Sequence, residues 1–353
     1  MRFGSYYFLQ APPGTSDAEV IQREFDQMCF SEELGFDSVW LTEHHFTEYG
    51  LSVSPVAIST ALAACTRRIK IGWAAAILPF HDPIRLAEEV ALADILSRGR
   101  LLVGVGRGNR PGEFAGFRIP QEESRARFYE ILELMLAAWT QERVSYRGKF
   151  FQIEELAVRP KPFTKPHPPI FLVATSPETV TFAARRGWPI LNSVITGPLS
   201  QVVAHRDLYL ATRRELGASE EQARQALDGW GVSRHIYVAP TDAQASREAY
   251  AAEQWYQGAF KRFLIPERIE DAPLSLQPRF RAMAERFEHF RLDDVLRESV
   301  LFGSPERVID GIAEMRALGI GEVLCWMNFG GLASELVERS MRLFAERVMP
   351  RFR

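Results

Sequence analysis

Short apolar, β-branched or aromatic runs alternate along the chain with longer stretches of helical period, the pattern of βα units laid on a parallel sheet. Arg2 to Leu9 reads as a first strand, and a helix from about Asp17 to Leu34 ends at Gly35, a residue suited to a left-handed C-terminal turn. Asp37 to Thr42 is predicted as the second strand, Ile69 to Ile77 as the third and Leu101 to Val105 as the fourth. Asp82-Pro83, a cap followed by a first-turn proline, opens a helix through Leu96. A helix from about Glu123 to Ala138 leads into a proline-rich stretch, Arg159-Pro160-Lys161-Pro162 to Pro168-Pro169, and then a fifth strand, Ile170 to Ala174. Ile190 to Val194, Ser233 to Val238 and Glu322 to Trp326 complete the strands, and a final helix runs from about Ser334 to Val348. The pattern predicts an α/β fold, a (β/α)8 TIM barrel forming one domain over residues 1–353, with insertions at the C-terminal face of the strands. One insertion covers about 142–168; a second, lid-like one covers about 256–302 and mixes prolines with charged helical pieces.

Composition and charge narrow the class of function without altering the fold. Of the 353 residues, 46% are hydrophobic and 25% charged, enough apolar material for a large core. Lys and Arg total 42 against 45 acidic residues, so the net charge of −3 provides no field to gather nucleic acid or an anionic membrane. Cys29, Cys65 and Cys325 are scattered and odd in number, which suggests neither a disulfide framework nor a metal cluster and fits a reducing cytoplasm. No signal peptide or run of about 18 apolar residues is visible, so no secretion or membrane anchoring is expected.

Candidate chemistry gathers at the carboxyl ends of the predicted strands. After strand five, Ser176 suits an N-cap, Pro177 the first helical position, and Thr179 a hydroxyl over the first turn. Such a helix end favours a phosphate, although most caps of this kind are purely structural. Arg107, directly after strand four, and Arg125, opening the next helix, lie on the same face; they would complete a phosphate clamp or else remain solvated surface charges. Gly104-Val105-Gly106-Arg107-Gly108 lacks dinucleotide-motif spacing and reads as a tight loop or a place where a flat group approaches the barrel mouth. His44 and His45 follow strand two, and alternation turns one toward the barrel axis and the other outward. A histidine there could exchange protons near neutral pH or simply satisfy structural hydrogen bonds. Adjacent histidines on a strand diverge, so Glu43, His44, His45 and His81 make a poor metal site, and none is expected.

The run Trp40-Leu41-Thr42-Glu43-His44-His45-Phe46-Thr47-Glu48-Tyr49-Gly50 closely resembles a segment of the bacterial-luciferase-like flavin-dependent monooxygenases, and of the luciferase alpha subunit in particular. The resemblance continues through Ile77-Leu78-Pro79, Asp82-Pro83-Ile84-Arg85, Ser97-Arg98-Gly99-Arg100, Ser124-Arg125-Ala126, Ala183-Ala184-Arg185-Arg186-Gly187, Gly303-Ser304-Pro305-Glu306 and Val348-Met349-Pro350, covering nearly the whole chain. It implies that Arg107, Arg125, Ser176 and Thr179 hold the phosphate of FMN and that His44 is catalytic. It also implies that Ala74-Ala75 matches a non-prolyl cis peptide under the flavin ring. Two departures touch the cofactor site: Gly106 stands where the alpha subunit has a reactive cysteine, and Thr175 replaces an acidic residue, so light emission does not follow from the likeness. Phe8, His45, Trp73, Trp255 and Trp326 are the candidate substrate-pocket residues.

The activity so implied is that of a two-component monooxygenase. Reduced FMN (FMNH2) from a separate NAD(P)H:flavin reductase reacts with O2 to a flavin C4a-hydroperoxide, which oxygenates a small organic substrate such as an aldehyde or ketone. A homodimer or a luciferase-like heterodimer is the implied assembly. The alternatives are an F420-dependent dehydrogenase on the same barrel and a catalytically silent flavin-binding subunit.

Overall fold

A computed structural model of the chain describes residues 1–194, 198–272, 274, 276–288, 292 and 299–353. Strands β1 (Arg2–Tyr7), β2 (Ser38–Leu41) and β3 (Lys70–Trp73) pair in sequence, and a two-residue β4 (Ala76–Ile77) joins β3 in pairing with β5 (Leu101–Gly106). A hairpin of β6 (Val144–Arg147) and β7 (Gln152–Leu156) stands apart. The parallel ring continues through β8 (Ile170–Val173), β9 (Ile190–Ser193) and β10 (Gly231–Val238), whose outer end also carries β11 (Leu301–Gly303). Strand β12 (Glu322–Trp326) pairs with both β10 and β1 and closes the barrel at eight strands. Around it lie α1 (Asp17–Glu33), α2 (Pro55–Cys65), α3 (Pro83–Ser97), α4 (Pro111–Gly116), α5 (Ser124–Thr140), α6 (Pro177–Arg186), α7 (Leu199–Glu215), α8 (Glu220–Gln225), α9 (Asp242–Leu264), α10 (Gln277–Glu288), α11 (Pro305–Ala317) and α12 (Ser334–Leu343). The expected (β/α)8 barrel is the fold that forms.

The barrel interior is packed, and strand alternation decides by what. Trp40 points inward from β2, and Gly4 on β1 and Gly72 on β3, its two neighbours, leave room for the indole; a Cβ at either would overlap it. The Trp40 Nε1–H donates to Ser38 Oγ and to the buried carboxylate of Glu322, both at 2.8 Å, so the indole's polar edge is satisfied at the closed end of the barrel. The same parity sends Trp73 outward, where its Nε1–H donates to Ser59 Oγ on α2 at 2.8 Å. The third strand, expected unbroken over Ile69 to Ile77, is interrupted at the cis Ala74-Ala75 peptide. Beside this break the Trp73 carbonyl presses against Gly104, a position that admits no Cβ.

Two expectations about the connections are corrected. The insertion at 142–168 follows α5 and precedes β8, and its Thr164 N–H donates to Asp94 Oδ2 on α3 at 2.7 Å. It therefore belongs to the amino ends of the strands, opposite the C-terminal face where it was expected. It also contains the β6–β7 hairpin, whose turn is held by the Glu130 carboxylate accepting from Lys149, Phe150 and Phe151 N–H at 2.8–3.1 Å. Both hairpin strands are largely exposed and polar, so no apolar alternation marks them. The lid-like span of 256–302 begins in the middle of α9, which runs unbroken to Leu264; residues 273, 275, 289–291 and 293–298 of that span lie outside the described residues.

Cys29 and Cys65 are paired as a disulfide joining α1 to α2, against the expectation drawn from their scatter; Cys325 is free and buried in β12. A separation of 36 residues gave no spacing signal, whereas helix packing brings the two positions together. Among the described residues no helix is long and apolar enough to cross a membrane.

Candidate active site

The carboxyl ends of the strands open into a cavity of about 400 Å³. Its two ends differ in chemistry.

At one end, β8 runs into α6, whose N-cap is Ser176 with Pro177 behind it, as the sequence predicts. The Ser176 Oγ and Thr179 Oγ1 lie 3.1 Å apart above the first turn, and the Thr179 N–H donates to Ser176 Oγ at 3.4 Å. Arg107, Arg125 and Thr175 line the same end. Arg125, half-exposed, forms an ion pair with Glu178 in that first turn. The Tyr129 hydroxyl records how closely these groups crowd: burial and then Glu178 push its pKa up, while Arg125 and Arg107 pull it down. Two guanidinium groups, two hydroxyls and a helix N-terminus are a donor set suited to a phosphate dianion. Ala74, Ala75 and Gly106 line the cavity's interior wall. None of the three carries a side chain larger than a methyl group, so this stretch of wall is smooth.

At the other end stands His44. Its Nδ1–H donates to Glu113 Oε1 at 3.0 Å, and the same buried oxygen accepts from the His45 backbone N–H at 3.1 Å. With Nδ1 protonated, Nε2 is the nitrogen left to accept a proton in the neutral ring. Phe8 lies beside the imidazole at 5.4 Å and stacks on Trp326 at 3.7 Å, and both rings line the cavity. His45 does not line it. Its Nε2–H donates to Glu43 Oε1 at 3.0 Å, and His81 Nε2–H donates to the same carboxylate at 2.8 Å, with Ile77 N–H at 2.9 Å on the second oxygen. Burial opposes ionisation of Glu43, but these hydrogen bonds and the charge of His81 together hold its carboxyl below the usual range. Burial likewise opposes protonation of His81, and the hydrogen bond and charge of Glu43 overcome it and raise its pKa. Among the described residues no group of three or more His, Cys, Asp or Glu side chains is disposed to hold a metal ion.

Of the candidates named from sequence, His44, Ala74, Ala75, Gly106, Arg107, Arg125, Thr175, Ser176, Thr179, Phe8 and Trp326 share this one cavity. His45, Trp73 and Trp255 are absent from its wall. Trp255 lies on the wrong side of α9, where Tyr256, Gln257, Phe260 and Leu264 face the cavity; its buried Nε1 has no hydrogen-bond partner among the described residues. Sequence reasoning passed over Tyr6, Tyr49, Arg110, Glu113 and His205. Tyr6 OH donates to the Ala74 carbonyl at 2.9 Å, and alternation from Trp40 through the strand register would have found it. His205 accepts from the Asn192 amide at 2.9 Å, and burial lowers its pKa; no motif marks it.

Residues 1–322 match the sequence profile of luciferase-like monooxygenases. The chain belongs to that family. Luciferase-like monooxygenases are oxidoreductases, and the relatives include the alkanal monooxygenase alpha chain of Photorhabdus laumondii, 29% identical over 99% of this chain and 97% of that one. The oxygenase component of a flavin-dependent trigonelline monooxygenase from Acinetobacter baylyi is 24% identical over 100% and 96%. Among solved structures, the monooxygenase RslO1 of Streptomyces bottropensis superposes with a TM-score of 0.83 at 29% identity, covering 100% of both chains. The oxygenating constituent of 3,6-diketocamphane monooxygenase from Pseudomonas putida, in complex with FMN, gives 0.80 at 21% identity over 99% and 98%. An F420-dependent secondary alcohol dehydrogenase shares the luciferase-like fold at a TM-score of 0.76 and 17% identity, over 100% and 99%.

Proposed function

We propose that this luciferase-like monooxygenase is the oxygenase of a two-component system that uses reduced FMN and O2 to oxygenate a small organic substrate. The observation that carries the reading is the polarity of the cavity: a phosphate-type donor set at one end and a positioned histidine at the other. Arg107, Arg125, Ser176 and Thr179 would hold the FMN phosphate, and Ala74, Ala75 and Gly106 would face its ring. Bound there, reduced FMN supplies the electrons for activating O2. One oxygen atom enters the substrate and the other leaves as water.

The protein's own part is orientation, dryness and proton traffic. Glu113 holds the Nδ1–H of His44, so Nε2 takes up and returns the proton that substrate oxygenation requires. Tyr256, Phe260 and Leu264 of α9, with Met283 and Phe287 of α10, line the cavity with mainly apolar surface, and these side chains help to exclude water from it. A separate NAD(P)H:flavin reductase in the cytoplasm delivers the reduced flavin. The exposed Leu92, Ile95 and Leu96 on α3 suit burial against a second chain, as a homodimer or a luciferase-like heterodimer requires.

The test is anaerobic titration with reduced FMN, followed by O2 and product analysis over a panel of small aldehydes, ketones and organic acids. Wild-type protein is expected to bind reduced FMN in preference to reduced F420 and to consume O2 while forming an oxygenated product. His44→Ala should keep FMN binding but lose about 10²- to 10⁴-fold in oxygenation rate, the range for a positioned acid or base. Product formation by His44→Ala at the wild-type rate removes His44 from the chemistry. Failure of wild type to bind reduced FMN overturns the cofactor assignment.

A further inference from the structure

The cavity holds a cation that the phosphate end does not use. Arg110 follows β5 and caps α4, and its side chain lines the cavity on the His44 side. The guanidinium carbon sits 4.6 Å from the centroid of Phe263 and 5.5 Å from that of Phe260. The Phe263 ring is also 5.0 Å from the His44 ring and stacks on Tyr49 at 4.5 Å, so one aromatic wall serves both the arginine and the histidine.

What this arginine lacks is an anion. Arg110 Nη1 is buried without a hydrogen-bond partner, and among the described residues the side chain makes no ion pair. Glu113 acts on it electrostatically, but one oxygen of that carboxylate, Oε1, is engaged by His44 and the His45 backbone. Tyr49 and Tyr256 also lie close, their hydroxyls hydrogen-bonded to each other at 3.1 Å. Burial pushes the guanidinium pKa down, and Tyr49, Glu113 and Tyr256 only partly push it back. A buried N–H without an acceptor costs free energy that a ligand can return. A carboxylate matches the planar fork of a guanidinium, and Nη1 is the buried donor such a group would satisfy.

We propose that Arg110 is the specificity determinant of a substrate subsite for an organic carboxylate, which it anchors beside His44 with the apolar body of the acid against Phe8, Tyr49 and Phe260. The inference rests on the monooxygenase reading for what happens to the acid afterwards, but the subsite is testable by binding alone. The cation lies apart from Arg107 and Arg125, so the substrate's charge and the FMN phosphate have separate partners.

The experiment titrates matched acid and amide pairs, benzoate with benzamide and octanoate with octanamide, into wild-type, Arg110→Lys and Arg110→Met protein. Calorimetry is run with and without oxidised FMN, and the FMN affinity is read in the same samples. Wild type is expected to prefer at least one acid over its amide by tenfold or more. Arg110→Met should abolish that ratio, and Arg110→Lys should retain part of it. A purely structural arginine would change both members of a pair together and leave the ratio intact. Equal binding of acid and amide by wild type, no binding of either, or a ratio that survives in Arg110→Met overturns the proposal. If Arg110→Met does not fold, the wild-type ratio and Arg110→Lys still decide. Loss of FMN binding with a preserved acid preference would instead sink the cofactor reading and spare the subsite.

Discussion

The ion pair between Arg125 and Glu178 makes the phosphate end a competition, and its outcome can be worked out in advance. If Arg125 holds the FMN phosphate as proposed, replacing it by alanine removes one charge-assisted hydrogen bond, worth about 1.5–3 kcal/mol. Without phosphate, however, Arg125 is paired with Glu178 while half-exposed, and such a surface pair is worth about 0–1 kcal/mol. The net loss is therefore about 0.5–3 kcal/mol, a weakening of FMN binding by about twofold to about 160-fold. Glu178→Gln acts in the opposite direction, releasing Arg125 and removing a negative charge from the anion site; FMN should bind about two- to fivefold tighter. In the double variant the benefit of Glu178→Gln should shrink, because the carboxylate no longer has an arginine to divert. Flavin-fluorescence titrations with FMN and with riboflavin, which lacks the phosphate, measure all of these. Equal weakening of riboflavin and FMN by Arg125→Ala would refute the phosphate assignment, as would tighter FMN binding in that variant.

Four further outcomes are expected. Glu43, with a lowered folded-state pKa, contributes stability that is complete above its ordinary value of 4.5 and lost as pH falls through the folded one. His81, raised above 6.5, contributes stability that is full below 6.5 and lost as pH rises through its folded value. Glu43→Gln should thus cost about 2 kcal/mol near pH 6 and flatten the decline above pH 6.5, read by denaturant unfolding across pH; an unchanged pH slope would contradict the pairing. Gly72→Ala drives a methyl into the Trp40 indole and should cost about 1–3 kcal/mol in the same assay, whereas a neutral effect would mean that the barrel floor has slack. Trp255→Phe should leave FMN affinity within about twofold, because its ring stands off the cavity wall, while Trp326→Ala removes the stack on Phe8 and should impair substrate oxygenation.

Periodicity carried most of the architecture because it is a local property: a strand buried on both faces reads as a short apolar run whatever it pairs with. It failed where local signals are weak, at the polar β6–β7 hairpin, or where a strand is broken, at Ala74-Ala75. Alternation from Trp40 puts Gly72 inside the barrel and Trp73 outside, so the exclusion of Trp73 from the cavity was legible in principle. Trp255 misled for a related reason, since one residue of helical phase, 100° on α9, separates it from Tyr256.

By itself the sequence determined the eight-stranded barrel, the face on which its chemistry gathers, and the cap at Ser176, because each depends on residues near one another along the chain. Tertiary structure alone decided that Glu113 reaches back to His44, that Glu43 is shared by His45 and His81, that Cys29 meets Cys65, and that Arg110 faces His44 across a common aromatic wall. These contacts join residues from 36 to 219 positions apart, or, for His45 and Glu43, two neighbours turned toward each other by the chain beyond β2. Such distances are set by strand register and helix packing around the closed ring, and no pattern within a single segment encodes them.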